Sequence, residues 1–180
     1  MREAHGRALR IAVLVILSAM SSIPHVHAQT DKGTFEVGIE AGPFLFVATG
    51  GTEAFGGLGL FVEPHVDYFF TDKLAVGATG FFYQSTESDA SFPSFSFGGA
   101  YGHVDYHFNS GSRLSPYVGA RIGVLIPNSA TLFGLGAQIG LKYFVTRQFS
   151  INGQLAVAGY PGSAGAIFLS CLGLGLSIHT

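Results

Sequence analysis

The stretch Phe133-Gly-Leu-Gly-Ala-Gln-Ile-Gly-Leu-Lys-Tyr143 alternates strictly between large apolar residues and small or polar ones. A period of two is typical of a β-strand whose two faces meet different surroundings. Here one face carries mainly phenylalanine, leucine, isoleucine and tyrosine, whereas the other carries glycines, Gln138 and Lys142. The stretch therefore predicts a strand with one apolar face and one small or polar face.

Seven further segments repeat this alternation, although the third is weaker because both of its faces are apolar or small. Each is close to the length of about ten residues that a tilted membrane strand needs. The segments are residues 35–42, 58–68, 74–83, 100–108, 118–124, 151–157 and 168–179. The pattern predicts an all-β chain of eight strands.

The distribution of bulky and charged residues indicates which face looks outward. The chain is 48% hydrophobic and only 11% charged, and it contains 26 glycines. A soluble sandwich or lipocalin-type barrel packs bulky apolar residues inside and spreads charges outside. In this sequence the few strand charges share their face with glycines, which suit a narrow interior. We therefore predict an eight-stranded antiparallel up-and-down transmembrane β-barrel, closed because lipid tolerates no unpaired backbone edge.

The first 28 residues have the order of a secretory signal peptide. Arg2, Arg7 and Arg10 precede an apolar run at 11–20, and the segment ends at Ala28. The run is shorter than the roughly 20 residues of a membrane-spanning helix. We predict a cleavable signal peptide at 1–28 and a barrel domain at 29–180.

The four-residue word His-Val-Asp-Tyr occurs twice, at 65–68 and 103–106, and Gly-Leu-Lys-Tyr at 140–143 has the same place in its strand. Aromatic residues and a short polar turn follow each of the three. If the mature N-terminus lies in the periplasm, these turns are periplasmic and the aromatic residues reach the membrane interface. The predicted interfacial aromatics are Tyr68, Phe70, Tyr106, Phe108, Tyr143 and Phe144.

At the opposite end, the remaining connections are predicted to form outer loops at residues 43–56, 84–94, 127–131 and 160–164. A second aromatic belt is expected beside them. Its predicted members are Phe44, Phe46, Tyr83, Phe95 and Tyr160. Pro64, which lies inside the second strand, is predicted to mark a bulge because proline cannot donate to the ladder.

The polar faces supply the candidate site. Histidine and aspartate are residue types of metal and acid–base sites. However, one strand separates the two His-Val-Asp-Tyr copies, so we expect them to lie about 10 Å apart around the wall. We therefore predict a hydrogen-bonded lumen network, with no catalytic residue, metal or cofactor. Its members are Glu36, Glu40, Glu63, His65, Asp67, His103, Asp105, Arg121, Gln138 and Lys142.

Residues 66–77, 115–120 and 140–146, together with the signal peptide, resemble the small outer-membrane β-barrel family, the OmpA/OmpX-like and opacity-type porin-family barrels. The resemblance implies localisation in the outer membrane, contact with its lipids and insertion by the barrel-assembly machinery. In the family a terminal aromatic residue commonly guides that insertion. This chain ends with Ser177-Ile178-His179-Thr180 and departs from that pattern.

Several functions remain open at this level. The leading hypothesis is a non-enzymatic integral barrel with a structural or surface-interaction role and an unknown surface partner. The alternatives are a conduit for small or apolar molecules, a lipid-modifying outer-membrane enzyme, and a soluble periplasmic lipocalin-like binding barrel. Nucleic acid is excluded as a partner because the mature part has no basic cluster. Cys171 is the only cysteine, so an internal disulfide is excluded as well.

Overall fold

A computed structural model describes residues 30–50, 53–85, 96–127, 131–162 and 165–180. The predicted signal peptide lies outside these residues. Among the described residues, no helix has the length and apolar character needed to cross a membrane. The strands are β1 (Phe35–Gly50), β2 (Glu53–Phe69), β3 (Leu74–Ser85), β4 (Ser96–His107), β5 (Leu114–Pro127), β6 (Leu132–Phe144), β7 (Phe149–Gly162) and β8 (Gly165–His179).

The strands form one closed antiparallel barrel. Each strand pairs with the next along the chain, and β8 pairs back with β1. In the first hairpin the register runs without a break from Phe35 opposite Tyr68 to Gly50 opposite Glu53. The predicted all-β, eight-stranded up-and-down barrel is confirmed.

The strands are longer than the predicted ten residues, since they contain 12 to 17. β1 continues through residues 43–50 and β2 already begins at Glu53, so the predicted outer loop at 43–56 is wrong. The other predicted outer loops also lose residues to strand ends, including 84–85, 127 and 160–162. In this part of the barrel both faces of β1 are apolar, so the alternation that marks a strand disappears from the sequence.

Pro64 does not mark a bulge. It lies opposite Ile39 in an unbroken β1–β2 register. On the other side of β2, pairing with β3 is interrupted next to Pro64. The flanking pairs, Val62 with Phe82 and His65 with Thr79, have the same register. Because proline has no N–H to donate, the ladder loses pairs here without gaining an extra residue.

The outer surface of the barrel is apolar. Leu174, Leu135 and Ile122 expose 70%, 69% and 65% of their surface, values expected of side chains that face a surrounding apolar medium. Within the strands, the charged side chains that the structure describes are all buried in the lumen. A charge on a lipid-facing wall is costly, whereas a lumen charge can be paired. The predicted inside-out arrangement is therefore present.

The lumen contains an apolar plug that the alternation pattern did not predict. Its members are Phe44, Phe46, Phe61, Phe81, Tyr83, Phe97, Tyr101, Leu125, Ala156, Tyr160, Leu169 and Cys171. Four of the residues predicted for an outer aromatic belt, Phe44, Phe46, Tyr83 and Tyr160, are buried here instead. The prediction for them is wrong because strand alternation continues to the strand ends. In β1, for example, Phe44 and Phe46 share a face with Glu36 and Glu40. Phe95 lies outside the described residues.

The other rim carries aromatic side chains on its outer surface. Phe70, Tyr106 and Phe108 are exposed, and Tyr68 and Tyr143 are half-buried. The Tyr68 and Phe70 rings meet edge to face at 4.9 Å, and the Tyr106 and Phe108 rings do so at 5.3 Å.

Phe144 is the exception among the predicted interfacial aromatics. It is fully buried, and its ring lies 4.9 Å from that of His179 inside the barrel. Phe144 is on the same face as Lys142, so strand alternation places it in the lumen. The prediction of an interfacial position for Phe144 is therefore wrong.

Candidate functional site

A layer of polar side chains fills the lumen between the apolar plug and the rim at the short turns. We call it the polar layer. The ten predicted lumen residues all belong to it; nine are buried and His65 is nearly so. Further buried polar side chains belong to the layer and were not predicted, although strand alternation places them on the same face. These are Thr79, His107, Ser115, Asn152, Gln154, Ser150, Ser177 and His179.

The two His-Val-Asp-Tyr copies touch each other. His103 Nε2 lies 2.6 Å from Asp67 Oδ1, so the prediction that the copies stay apart is wrong. The intervening strand contributes Gly77, which pairs with Asp67 on one side and His103 on the other. A Cβ atom at Gly77 would lie 1.7 Å from Asp67 Oδ1. The missing side chain therefore lets Asp67 and His103 meet across β3.

The second copy makes the same kind of contact one strand pair further on. Asp105 Oδ1 accepts a hydrogen bond of 2.6 Å from Gln138 Nε2. Gly119 lies between them, and a Cβ atom there would be 1.7 Å from Asp105 Oδ1. Gln138 Oε1 in turn accepts a hydrogen bond of 2.9 Å from Arg121 Nε. The repeated word is thus part of a network that crosses from β2 to β6.

Glu63 joins the polar layer to the apolar plug. Its carboxylate accepts hydrogen bonds from Tyr83 (2.9 Å), Tyr101 (2.7 Å) and Gln154 (3.1 Å). The Arg121 guanidinium lies over the Tyr101 ring, 4.1 Å from its centroid. The two tyrosines therefore present their rings to the plug and their hydroxyl groups to the polar layer, as buried tyrosines do.

At the other side of the layer, Glu36 is the centre of a second group. Its Oε2 accepts a hydrogen bond from Lys142, and His179 Nδ1 lies 3.8 Å from the same oxygen. Glu36 Oε1 is 3.5 Å from His65 Nε2. Glu40 is also buried, and its Oε2 has no hydrogen-bond partner among the described residues.

The polar layer leaves little free space. The cavity that its side chains line measures about 20 Å³, which is room for about one water molecule. The apolar plug occupies the neighbouring part of the same lumen.

Among the comparisons with known proteins, only the solved structures show similarity. No protein-family model matches the sequence. No curated protein matches it either. Neisserial surface protein A is similar in structure, with a TM-score of 0.66 and 18% identity over 82% of this chain and 99% of that one.

Two further solved structures have the same fold. The outer membrane protein AlkL, determined in lipid bilayers, has a TM-score of 0.55 and 16% identity over 88% of this chain and 95% of that one. Ail, the attachment invasion locus protein of Yersinia pestis, has a TM-score of 0.53 and 11% identity over 83% of this chain and 99% of that one. The chain therefore has the fold of the small eight-stranded outer-membrane β-barrels.

Proposed function

We propose that this protein is an integral barrel of the bacterial outer membrane that is closed to solutes and has a structural or surface-interaction role. The observation that carries the proposal is the filled lumen, in which an apolar plug lies on a hydrogen-bonded polar layer. In this proposal the exposed apolar belt contacts outer-membrane lipids, and the barrel-assembly machinery inserts the chain.

The filled lumen favours a closed barrel over a conduit. A solute passing along the axis would have to displace the rings of the plug and then separate the Asp67–His103 and Lys142–Glu36 contacts. Breaking one buried ion pair costs about 3–5 kcal/mol. Passive diffusion through such a path is slow, because every passage requires several of these contacts to open together.

A catalytic role has little support in the polar layer. Ser150 Oγ lies 3.0 Å from His179 Nε2 and Glu36 lies beyond the histidine, so the residue types resemble a nucleophile triad. However, the His179 Nδ1 to Glu36 Oε2 distance is 3.8 Å, and Ser150 is fully buried while it donates a hydrogen bond to Asn152. Because Ser150 is fully buried, its hydroxyl group is not exposed to a substrate. We therefore include the absence of enzymatic activity in the proposal.

In this proposal the connection between β3 and β4 makes the surface contacts. Strand β3 ends at Ser85 and β4 begins at Ser96, which leaves residues 86–95 between them. The other connections at that end contain only two to four residues beyond the strands. The ten-residue segment contains Glu87, Asp89 and Phe92, a mixture suited to polar and aromatic contacts. Two proteins with this fold are named for a surface location and for attachment.

Planar-bilayer recording tests whether the barrel is closed. We expect the purified, refolded protein to insert without producing discrete conductance steps, because the polar layer holds room for about one water molecule. A general porin added to the same bilayer serves as the positive control. Regular conductance steps that depend on the amount of folded protein would contradict the proposal and favour the conduit.

Cysteine labelling of intact cells tests the surface position of residues 86–95. We expect Ser88→Cys to react with a polyethylene-glycol maleimide too large to cross the outer membrane. Asn109→Cys, in the exposed β4–β5 turn, is expected to react only after lysis. The unmodified chain is a matched control because Cys171 is 2% exposed and is expected to stay unlabelled in folded protein. Labelling of Asn109→Cys but not Ser88→Cys in intact cells would reverse the proposed orientation.

A further inference from the structure

Glu36, His65 and Asp67 form a compact group of potential metal ligands on β1 and β2. One ligand atom from each residue lies within 4.8 Å of the others. His65 Nε2 is 3.5 Å from Glu36 Oε1 and 4.0 Å from Asp67 Oδ2. Two ligand atoms at about 2.0–2.2 Å from one tetrahedral ion lie about 3.3–3.6 Å apart, so the Asp67 oxygen must move slightly closer to His65 Nε2 when the ion binds. We propose that this triad binds a divalent transition-metal ion such as Zn²⁺.

The Glu36 carboxylate gives independent support for a ligand at this place. Glu36 is completely buried, and its Oε1 has no hydrogen-bond partner among the described residues. Its other oxygen, Oε2, is already engaged by Lys142. A buried acceptor without a partner costs about 1–3 kcal/mol, and more when it is charged. A metal ion between Glu36 and His65 satisfies this oxygen and leaves the contact with Lys142 in place.

Neighbouring residues hold the other two ligands. His103 Nε2 binds Asp67 Oδ1 at 2.6 Å, which leaves Oδ2 as the oxygen nearer His65. This is the arrangement in which an outer residue orients a ligating carboxylate. Ser177 Oγ lies 3.3 Å from His65 Nε2, and the metal ion replaces that hydrogen bond when it binds the ring nitrogen.

The charge of the polar layer also favours a bound cation. The layer contains five buried carboxylates, those of Glu36, Glu40, Glu63, Asp67 and Asp105, against two permanent cations, Arg121 and Lys142. With neutral histidines the described lumen therefore carries three excess negative charges. Uncompensated charges are costly in a closed interior. A divalent ion on a neutral His65 offsets two of these charges, whereas without a metal ion they must be offset by protons on the histidines or on the carboxylates.

Metal analysis of the refolded barrel tests this site and does not depend on the proposed function. The protein is refolded in detergent with Zn²⁺ or with a chelator, free metal is removed, and bound zinc is measured by elemental analysis. The temperature at which the folded gel band disappears is measured in parallel. We expect about one zinc per chain and a higher transition temperature in the zinc-refolded sample, because a ligand that binds only the native state stabilises it.

Variants locate the ion. His65→Gln and Asp67→Asn are expected to retain less than about a tenth of the zinc, and His103→Gln to weaken affinity about 10–100-fold. His107→Gln is the matched control, because it removes a buried imidazole that contacts Ser115 and lies outside the triad. Failure of the unmodified chain to bind zinc, or equal loss in His107→Gln and His65→Gln, would overturn the assignment. The measurement on the unmodified chain decides the question even if a variant does not fold.

Discussion

Replacement of Gly77 by valine is expected to prevent the barrel from forming its native state. A Cβ atom at this position would lie 1.7 Å from Asp67 Oδ1 and 2.6 Å from His103 Nε2, so the added side chain must separate the two. Overpacking a core costs about 1–3 kcal/mol, and leaving a buried acceptor without its partner costs about 1–3 kcal/mol, or more when it is charged. We therefore expect a loss of more than about 3 kcal/mol of unfolding free energy, a large part of the stability of a small barrel.

The control for this variant lies on the same strand. Gly80 is three residues further along β3, and a Cβ atom there would meet no other atom within 4 Å. Gly80→Val is therefore expected to change the unfolding free energy by less than about 1 kcal/mol. Urea unfolding in detergent, followed by gel mobility and circular dichroism, compares the two. Equal stability of the two variants would show that contact across Gly77 is not what holds the polar layer together.

The fold was predictable because alternation is a local property of the sequence. Phe133 to Tyr143 contains the full pattern of β6. The same kind of alternation in β1, β2 and β4 places Glu36, Glu63 and Asp105 in the lumen. A change of one position would move every side chain to the other face, so the assignment is strongly determined wherever the two faces differ in polarity.

The apolar plug could not be predicted in the same way. Around Phe44 and Phe46 the lumen face and the lipid face are both apolar, so the sequence contains no contrast between them. Alternation alone therefore predicts that the strands end there, and it predicts loop or interfacial positions for their aromatic residues. If the two-residue alternation that places Glu36 and Glu40 in the lumen is continued along β1, both phenylalanines also face the lumen.

The contact between Asp67 and His103 was missed for a different reason. Strand spacing gives the separation of backbones, but the side-chain contact depends on Gly77 lying between the two residues. The position of Gly77 between them follows from the register of β2, β3 and β4, and the alternation pattern does not determine that register. Once the register is known, the glycine predicts the contact.

The apolar outer face of the barrel is expected to contact lipid. Ile122, near the middle of β5, is 65% exposed, and Ile126 lies on the same face near the strand end and is 46% exposed. We expect Ile122→Arg to lower the free energy of unfolding from lipid bilayers by about 2–4 kcal/mol, because the charge lies near the bilayer midplane. The same substitution at Ile126 is expected to cost only about 0–1 kcal/mol, because its side chain lies closer to the interface.

Urea unfolding of the two arginine variants from phospholipid vesicles is the most direct measurement of this claim. A larger destabilisation at Ile122 than at Ile126 is the predicted result. If both variants keep the stability of the unmodified chain, and the barrel remains folded and soluble in buffer without detergent or lipid, the apolar face does not contact a membrane.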